Sequence, residues 1–201
     1  MELIIVRHGQ PETSVGDTPA DPPLSDLGKE QARRVCAYLA KSRIDRVAHS
    51  GMVRASQTAE PLIDHLDIVP SVLVGLGEVD RYGVNYANAE TIRAKGKSEW
   101  RRFLSDPIGY FGVDEATFRA ETLAAFNELI ASAGNQTIAV FTHGFPINML
   151  ISHYLGTPKS IIVQPGYASI TRIGGSAPDR LSVISINETA HLSDHFAGML
   201  P

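Results

Sequence analysis

The chain has 201 residues, of which 43% are hydrophobic, and a formal net charge of −4. That length and apolar content suffice for a full core in one domain spanning 1–201, and the acidic balance excludes a general nucleic-acid or membrane-surface binder, whose footprint is basic. Cys36 is the only cysteine, which rules out an internal disulfide or a cysteine-rich metal site and suits a reducing cytoplasm.

Leu3, Ile4, Ile5 and Val6 form a short, largely β-branched run with no polar interruption, as expected of a central strand of a parallel sheet covered on both faces. The run is far too short for a signal peptide or a membrane span. It empties into Arg7, His8 and Gly9, at the carboxyl end of the strand, where ligands of open α/β sheets bind. Residues 10–23 are rich in Pro, Gly and Asp and predict a loop beside this first site. Ser25 reads as the N-cap of a helix reaching about residue 41, with Ala32, Val35, Cys36 and Leu39 on one apolar face.

Residues 46–49 read as a second strand, followed by a helix carrying Arg54, Gln57 and Thr58. An isolated arginine is most often a surface residue. Just past a strand end it is also well placed to hold phosphate oxygens with its planar fork. Residues 69–74 predict a further strand, with Glu78 and Asp80 in the segment that follows and Gly75 and Gly77 suggesting tightly placed backbone near a site. Asp80 is expected to be a solvated loop acid.

Residues 82–112 predict a small helical cap insertion. Its basic run of Arg93, Lys95, Lys97, Arg101 and Arg102 is a solvated face or a lid that attracts an anion, and Ile92, Trp100, Phe103 and Leu104 are expected to turn inward. An amphipathic helix covers 115–132, ending at Gly134. Residues 137–141 then repeat the opening device, an apolar run that ends in Thr142, His143 and Gly144. A buried helix follows, closed by Gly156 and Pro158, and two strands at 167–173 and 181–186 end the chain. Strand and helix alternation gives a three-layer α/β sandwich, with a mostly parallel central sheet and helices on both faces.

The candidate groups at one sheet edge are two arginines, two histidines and one or two carboxylates. Arginines suit a phosphate, and histidines offer nucleophilic or acid-base work. Two histidines and a carboxylate could also hold zinc or iron, although two neighbouring guanidinium groups oppose a cation.

These motifs resemble the histidine phosphatase superfamily, the phosphoglycerate mutase-like proteins. Arg7-His8-Gly9 matches the defining N-terminal motif, and Leu24-Ser25, Gly28 and Gln31-Ala32 match the segment after it. Ser50, Arg54, Gln57 and Thr58 match the third motif, Leu76-Gly77-Glu78 the site of the acidic proton donor, and Thr142-His143-Gly144 the second histidine. The chain departs from many relatives at Gln10-Pro11-Glu12 and at Gly112-Val113-Asp114-Glu115.

The resemblance implies that His8 is transiently phosphorylated, that Arg7, Arg54 and His143 hold the phosphoryl group beside Gly9 and Gly144, and that Glu78 handles the leaving-group proton. It implies no metal and no cofactor, and a small phosphorylated metabolite or a phosphoprotein as substrate. A phosphomutase of the same family and a non-catalytic phospho-ligand binding module are the alternatives to a phosphomonoester hydrolase.

Overall fold

The computed structural model describes residues 1–12, 21–83, 86–177 and 179–192. Much of the loop expected at 10–23 therefore lies outside the described residues. The opening apolar run forms β1 (Glu2–Arg7), inside a six-stranded sheet. Its pleat sends alternate side chains to opposite faces. Leu3 and Ile5 pack with Phe126 and Leu129 of α5 (Glu115–Ala131) and with Ile147 and Leu150 of α6 (Gly144–Tyr154). Ile4 and Val6 pack with Val35 and Leu39 of α1 (Asp26–Leu39) and with Ala59 and Leu62 of α2 (Val53–Leu66). With a helix layer on each face, both sets of side chains must be apolar, which is why the run shows no alternation.

The sheet order is β3-β2-β4-β1-β5-β6, where β2 is Arg46–His49, β3 is Ser71–Val72, β4 is Thr137–Thr142, β5 is Ile170–Gly175 and β6 is Leu181–Glu188. The pairings β1/β4, β2/β4 and β2/β3 are parallel, and β1/β5 and β5/β6 are antiparallel. This is the mostly parallel sandwich that the sequence predicts. Parallel register aligns Val6 with Phe141 and Arg7 with Thr142, so His8 and His143 leave their strands at the same level. The His8 N–H donates to the Thr142 carbonyl at 2.9 Å.

Two expected strands are shorter than predicted. Only Ser71–Val72 of 69–74 pairs with β2, and Val74–Leu76 turns into a 3₁₀ helix. Gly75 sits against α5, where a Cβ would lie 2.7 Å from the Glu121 carbonyl oxygen, so its tight placement serves packing rather than the site. The strand expected from 167 begins at Ile170, because Ala168 adopts a positive φ of 57° and the Ser169 N–H donates to the Gly166 carbonyl at 3.1 Å, closing a turn.

Between β3 and α5 lie the short helices α3 (Ala89–Ala94) and α4 (Lys97–Ser105) and a 3₁₀ turn, Gly109–Phe111. Asn88 and Thr91 close a reciprocal capping box on α3. Gly96, at φ 105°, makes the corner into α4 that a side chain would resist. Ile92 and Phe103 are buried as expected, whereas Leu104 is 54% exposed; α4 is too short and too near the surface to bury two successive apolar residues. Asp114, one of the positions that departs from the relatives, caps α5 by accepting the Thr117 N–H at 2.8 Å.

The loop after β1 is pinned to α1. Ser25 caps that helix through the Gly28 N–H at 3.1 Å, its own N–H donates to the Gln10 carbonyl at 3.0 Å, and the Gln10 N–H donates to Gln31 Oε1 at 2.7 Å. A Cβ on Gly28 would lie 2.1 Å from the Gln10 carbonyl oxygen, and one on Gly9 would lie 2.7 Å from the Gly28 carbonyl oxygen. At an open helix position Gly→Ala stabilises by about 1 kcal/mol. Gly28→Ala is expected to reverse that sign and destabilise by about 1–3 kcal/mol, since the clash is with backbone. Chemical denaturation of the two proteins checks this, and a stabilised variant would mean that residues 9–10 are free to move away.

Candidate active site

His8 is 2% exposed and His143 is fully buried, with ring centroids 5.0 Å apart. His8 Nδ1 lies 2.7 Å from the Gly9 carbonyl oxygen. A carbonyl only accepts, so Nδ1 carries the proton and Nε2 keeps its lone pair. Burial, first, and then the charges of Arg54 and Arg7 hold the His8 imidazole well below its ordinary pKa. Both effects keep it neutral and nucleophilic.

His143 stands at the N-terminus of α6, with Nε2 2.8 Å from Ser50 Oγ. Burial and the charge of Arg54 keep this ring neutral too, with smaller contributions from His8, Arg7 and Arg81. His143 Nδ1 and Arg7 Nε are buried with no hydrogen-bond partner among the described residues. Unsatisfied buried polar groups are costly, and an anion would satisfy both.

Each arginine is held on one side by protein oxygen and on the other by an aromatic ring. Arg7 donates through Nη1 to the Pro165 carbonyl at 2.5 Å, and its guanidinium carbon sits 4.2 Å from the centroid of Tyr167. Arg54 has no exposed surface. It donates through Nη2 to Asp80 Oδ1 at 2.8 Å and through Nη1 to Asp21 Oδ1 at 3.4 Å, and it lies 5.1 Å from the Tyr86 centroid. Thr58 ties its helix to the first motif, accepting the Gly9 N–H at 2.9 Å while its hydroxyl donates to the Arg54 carbonyl at 2.6 Å.

Asp80, expected as a solvated loop acid, is 1% exposed and is the close counter-ion of Arg54. Burial pushes its carboxyl up to about 7, against the opposing pull of Arg54. No periodicity signals this role. A buried guanidinium requires an acid, however, and Asp80 lies within reach once Arg54 is placed inside. Tyr86 and Tyr167 also escaped sequence reasoning, since each comes to the site from a loop distant in the chain.

Glu78 accepts the Val79 N–H at 3.0 Å and the Phe145 N–H at 3.2 Å, so it stands over the first turn of α6. A Cβ on Gly144 would lie 3.4 Å from Glu78 Oε2, and the absence of a side chain there leaves room for the carboxyl. Burial raises the Glu78 pKa, opposed by the Val79 hydrogen bond and by Arg54. Arg7, His8, Glu78 and Gly144 open into one cavity of about 650 Å³. Arg54 and His143 lie behind that wall. The predicted residues are thus brought together at the carboxyl ends of β1 and β4, while of the basic run only Arg93 reaches the cavity.

Residues 3–189 match the model of the histidine phosphatase superfamily (branch 1). Over 203 aligned residues the chain is 24% identical to phosphoserine phosphatase 1 of Hydrogenobacter thermophilus, covering 98% of this chain and 96% of that protein. It is 28% identical to glucosyl-3-phosphoglycerate phosphatase of Mycolicibacterium vanbaalenii, over 86% of this chain and 84% of the relative. Among solved structures, a mycobacterial glucosyl-3-phosphoglycerate phosphatase in complex with VO3 superposes with a TM-score of 0.78 at 24% identity, covering 94% of this chain and 99% of that one. A phosphoserine phosphatase mutant from Entamoeba histolytica bound to phosphoserine superposes at 0.77, also at 24% identity, over 95% and 98% of the two chains. With the family's model matched across almost its whole length, the chain belongs to the histidine phosphatase superfamily, branch 1.

Proposed function

We propose that the protein is a metal-independent phosphomonoester hydrolase working through phospho-His8. The observation that carries this reading is the state of His8: buried, neutral, its Nδ1 proton committed to Gly9, and flanked by two guanidinium groups and a second histidine. Arg7, Arg54 and His143 hold the phosphoryl oxygens, with Gly9 and Gly144 allowing close approach. His8 Nε2 attacks phosphorus, the ester P–O bond breaks, and Glu78 gives its proton to the leaving oxygen. Water then attacks the phosphohistidine and loses a proton to Glu78, releasing inorganic phosphate and restoring both residues. The guanidinium charges stabilise the transferring oxygens throughout.

Residues 82–112 act as a cap within a single domain of 1–201, and the substrate is a small phosphorylated molecule. The free, half-buried Cys36 suits a reducing, cytoplasmic setting.

Rapid quench with labelled substrate is expected to trap phosphate on His8, labile in acid and stable in alkali. His8→Ala should abolish both trapping and turnover, and a normal rate in that variant would overturn the mechanism. Activity is expected to survive prolonged chelation, because the stabilising charge comes from Arg7 and Arg54. Loss with chelator, restored by a divalent ion, would instead require a two-histidine metallohydrolase.

The pKa shifts set the pH profile. A lowered His8 pKa keeps the nucleophile neutral below pH 6.5, its ordinary value, so the acid limb of kcat/KM should lie below that pH once substrate ionisation is corrected. A raised Glu78 pKa keeps the acid protonated to higher pH, and the rate with an alkyl phosphate should fall as it ionises. An aryl phosphate, whose leaving group needs no proton, should lack that alkaline limb in single-turnover measurements.

A further inference from the structure

The cavity above His8 differs in character from its floor. Arg7, His8, Glu78 and Arg93, with the phenols of Tyr86 and Tyr167, are the charged or titratable groups among its described lining residues, and Arg7, His8 and Glu78 belong to the chemistry already described. The walls are built from Val79, Trp100, Phe103, Phe111, Phe145 and Ile161. Trp100 and Phe103 stack with centroids 5.4 Å apart at 28°. Phe111 meets Phe103 and Phe145 edge-on at 6.4 and 6.2 Å. Such pairs favour fixed ring orientations, so the walls form an aromatic box rather than a loose apolar surface. Its roughly 650 Å³ is the volume of a site for a drug-sized ligand, and a phosphorylated amino acid or glycerate would leave most of it unfilled.

The charges support the same conclusion. Apart from Arg7, which lies beside His8, the cation available to a substrate carboxylate among the described lining residues is Arg93. It lies over the Trp100 ring, 4.4 Å from its centroid, at the solvent-exposed edge of the cap. Among the described lining residues, a substrate ammonium would find no acid other than Glu78, which is needed for the leaving group. A zwitterionic or carboxylate-bearing leaving group entering this box would meet neutral polar groups such as Asn88, Gln164 and Thr189, but among the described lining residues few ionic partners to offset its lost hydration.

Resting on the phosphatase reading above, we infer that the substrate is a small-molecule phosphate monoester whose organic part is a bulky, largely uncharged aromatic body. Its phosphoryl group occupies the polar floor at Arg7 and His8, in front of the buried Arg54 and His143. The ester oxygen passes Glu78, and the aromatic body lies in the cavity against the contiguous surface formed by Trp100, Phe103, Phe111 and Phe145.

The test compares leaving groups of matched basicity, so that chemistry cancels and only the box is read. The pair is ethyl phosphate and 2-(1-naphthyl)ethyl phosphate, run beside phosphoserine, 3-phosphoglycerate and a phosphoserine peptide with apolar flanks. The naphthyl ester is expected to exceed ethyl phosphate in kcat/KM by at least about 10²-fold, given roughly fourfold for each buried methylene, while phosphoserine and 3-phosphoglycerate stay near ethyl phosphate. Trp100→Ala should lower the naphthyl-to-ethyl ratio by about tenfold or more. So should Ile161→Glu, at a 37% exposed position where a charge leaves the core intact. Equal kcat/KM for the naphthyl and ethyl esters, preference for phosphoserine, or a ratio unmoved by both substitutions would overturn the substrate class while leaving the phosphatase standing. Faster turnover of the peptide would overturn the small-molecule occupant in favour of a protein. Failure to hydrolyse any of them, with no phosphate trapped on His8, would overturn both readings.

Discussion

A guanidinium with no exposed surface, that of Arg54, shares the interior with Asp80 at 2.8 Å, and the state of the site follows from that burial. Removing a charged pair from water still costs several kcal/mol per ion after relaxation, and their mutual attraction offsets this only where the geometry is good. The pair is therefore a weak argument for stability. It is a stronger one for electrostatic preorganisation, because a cation fixed in a dry environment acts on its neighbours with little screening. Arg54 contributes to lowering the pKa of both His8 and His143 and opposes the burial that raises those of Glu78 and Asp80.

Burial and the guanidinium charges act on every one of these titratable groups, and burial is the larger effect each time. For the histidines, burial and the cations act together, so both rings are neutral. For Glu78 and Asp80 they oppose, and the shift is still upward. The outcome suits a group that must deliver a proton. An incoming dianion would offset the cations that restrain Glu78, raising its pKa further as the substrate binds. The proposed proton donor, Glu78, and the proposed nucleophile, His8, are then readied by one desolvated environment acting on groups of opposite charge type, and their titrations are coupled rather than individual.

Much of this was legible in the chain because it is encoded at strand ends. The runs before Arg7-His8-Gly9 and Thr142-His143-Gly144 are apolar for the physical reason that both sheet faces are covered. Parallel register does the rest, aligning Arg7 with Thr142. Ser25 as N-cap, β2 at 46–49 and the buried faces of α5 and α6 were likewise readable from local pattern. The roles of Asp80, Tyr86 and Tyr167 were not, because each depends on a contact made across the fold. Tyr167 reaches Arg7 only because the buried Ala168 takes a positive φ, with its N–H donating to the His8 carbonyl at 3.1 Å. Alanine carries no sequence mark of that backbone state, which for a residue with a Cβ is held by its surroundings. The strand expected at 69–74 came out shorter for a similar reason: β-branched residues at a sheet edge carry the same pattern whether or not the chain turns away to pack Gly75 on α5.

The division between floor and walls explains how one fold can keep its chemistry while its substrates change. The groups proposed to hold and transfer phosphate sit at strand ends and at the first turns of α2 and α6, locked by hydrogen bonds from backbone N–H groups such as Gly9 to Thr58 and Phe145 to Glu78. A change there disturbs the sheet. The aromatic walls come largely from the insertion between β3 and α5, where Phe103 of α4 meets Phe111 and Phe145, and those two rings pack against a small separate cluster of Val79, Ile108, Phe118 and Met149. Substitutions in that layer can alter the shape of the cavity without reaching the β1 to β4 register. Phe145 joins the two layers: its N–H holds the Glu78 carboxyl, and its ring closes the box against Phe103 and Phe111. An aromatic body seated against that ring would press on the same residue that orients the proton donor, so binding of the organic part and placement of the acid are mechanically one event.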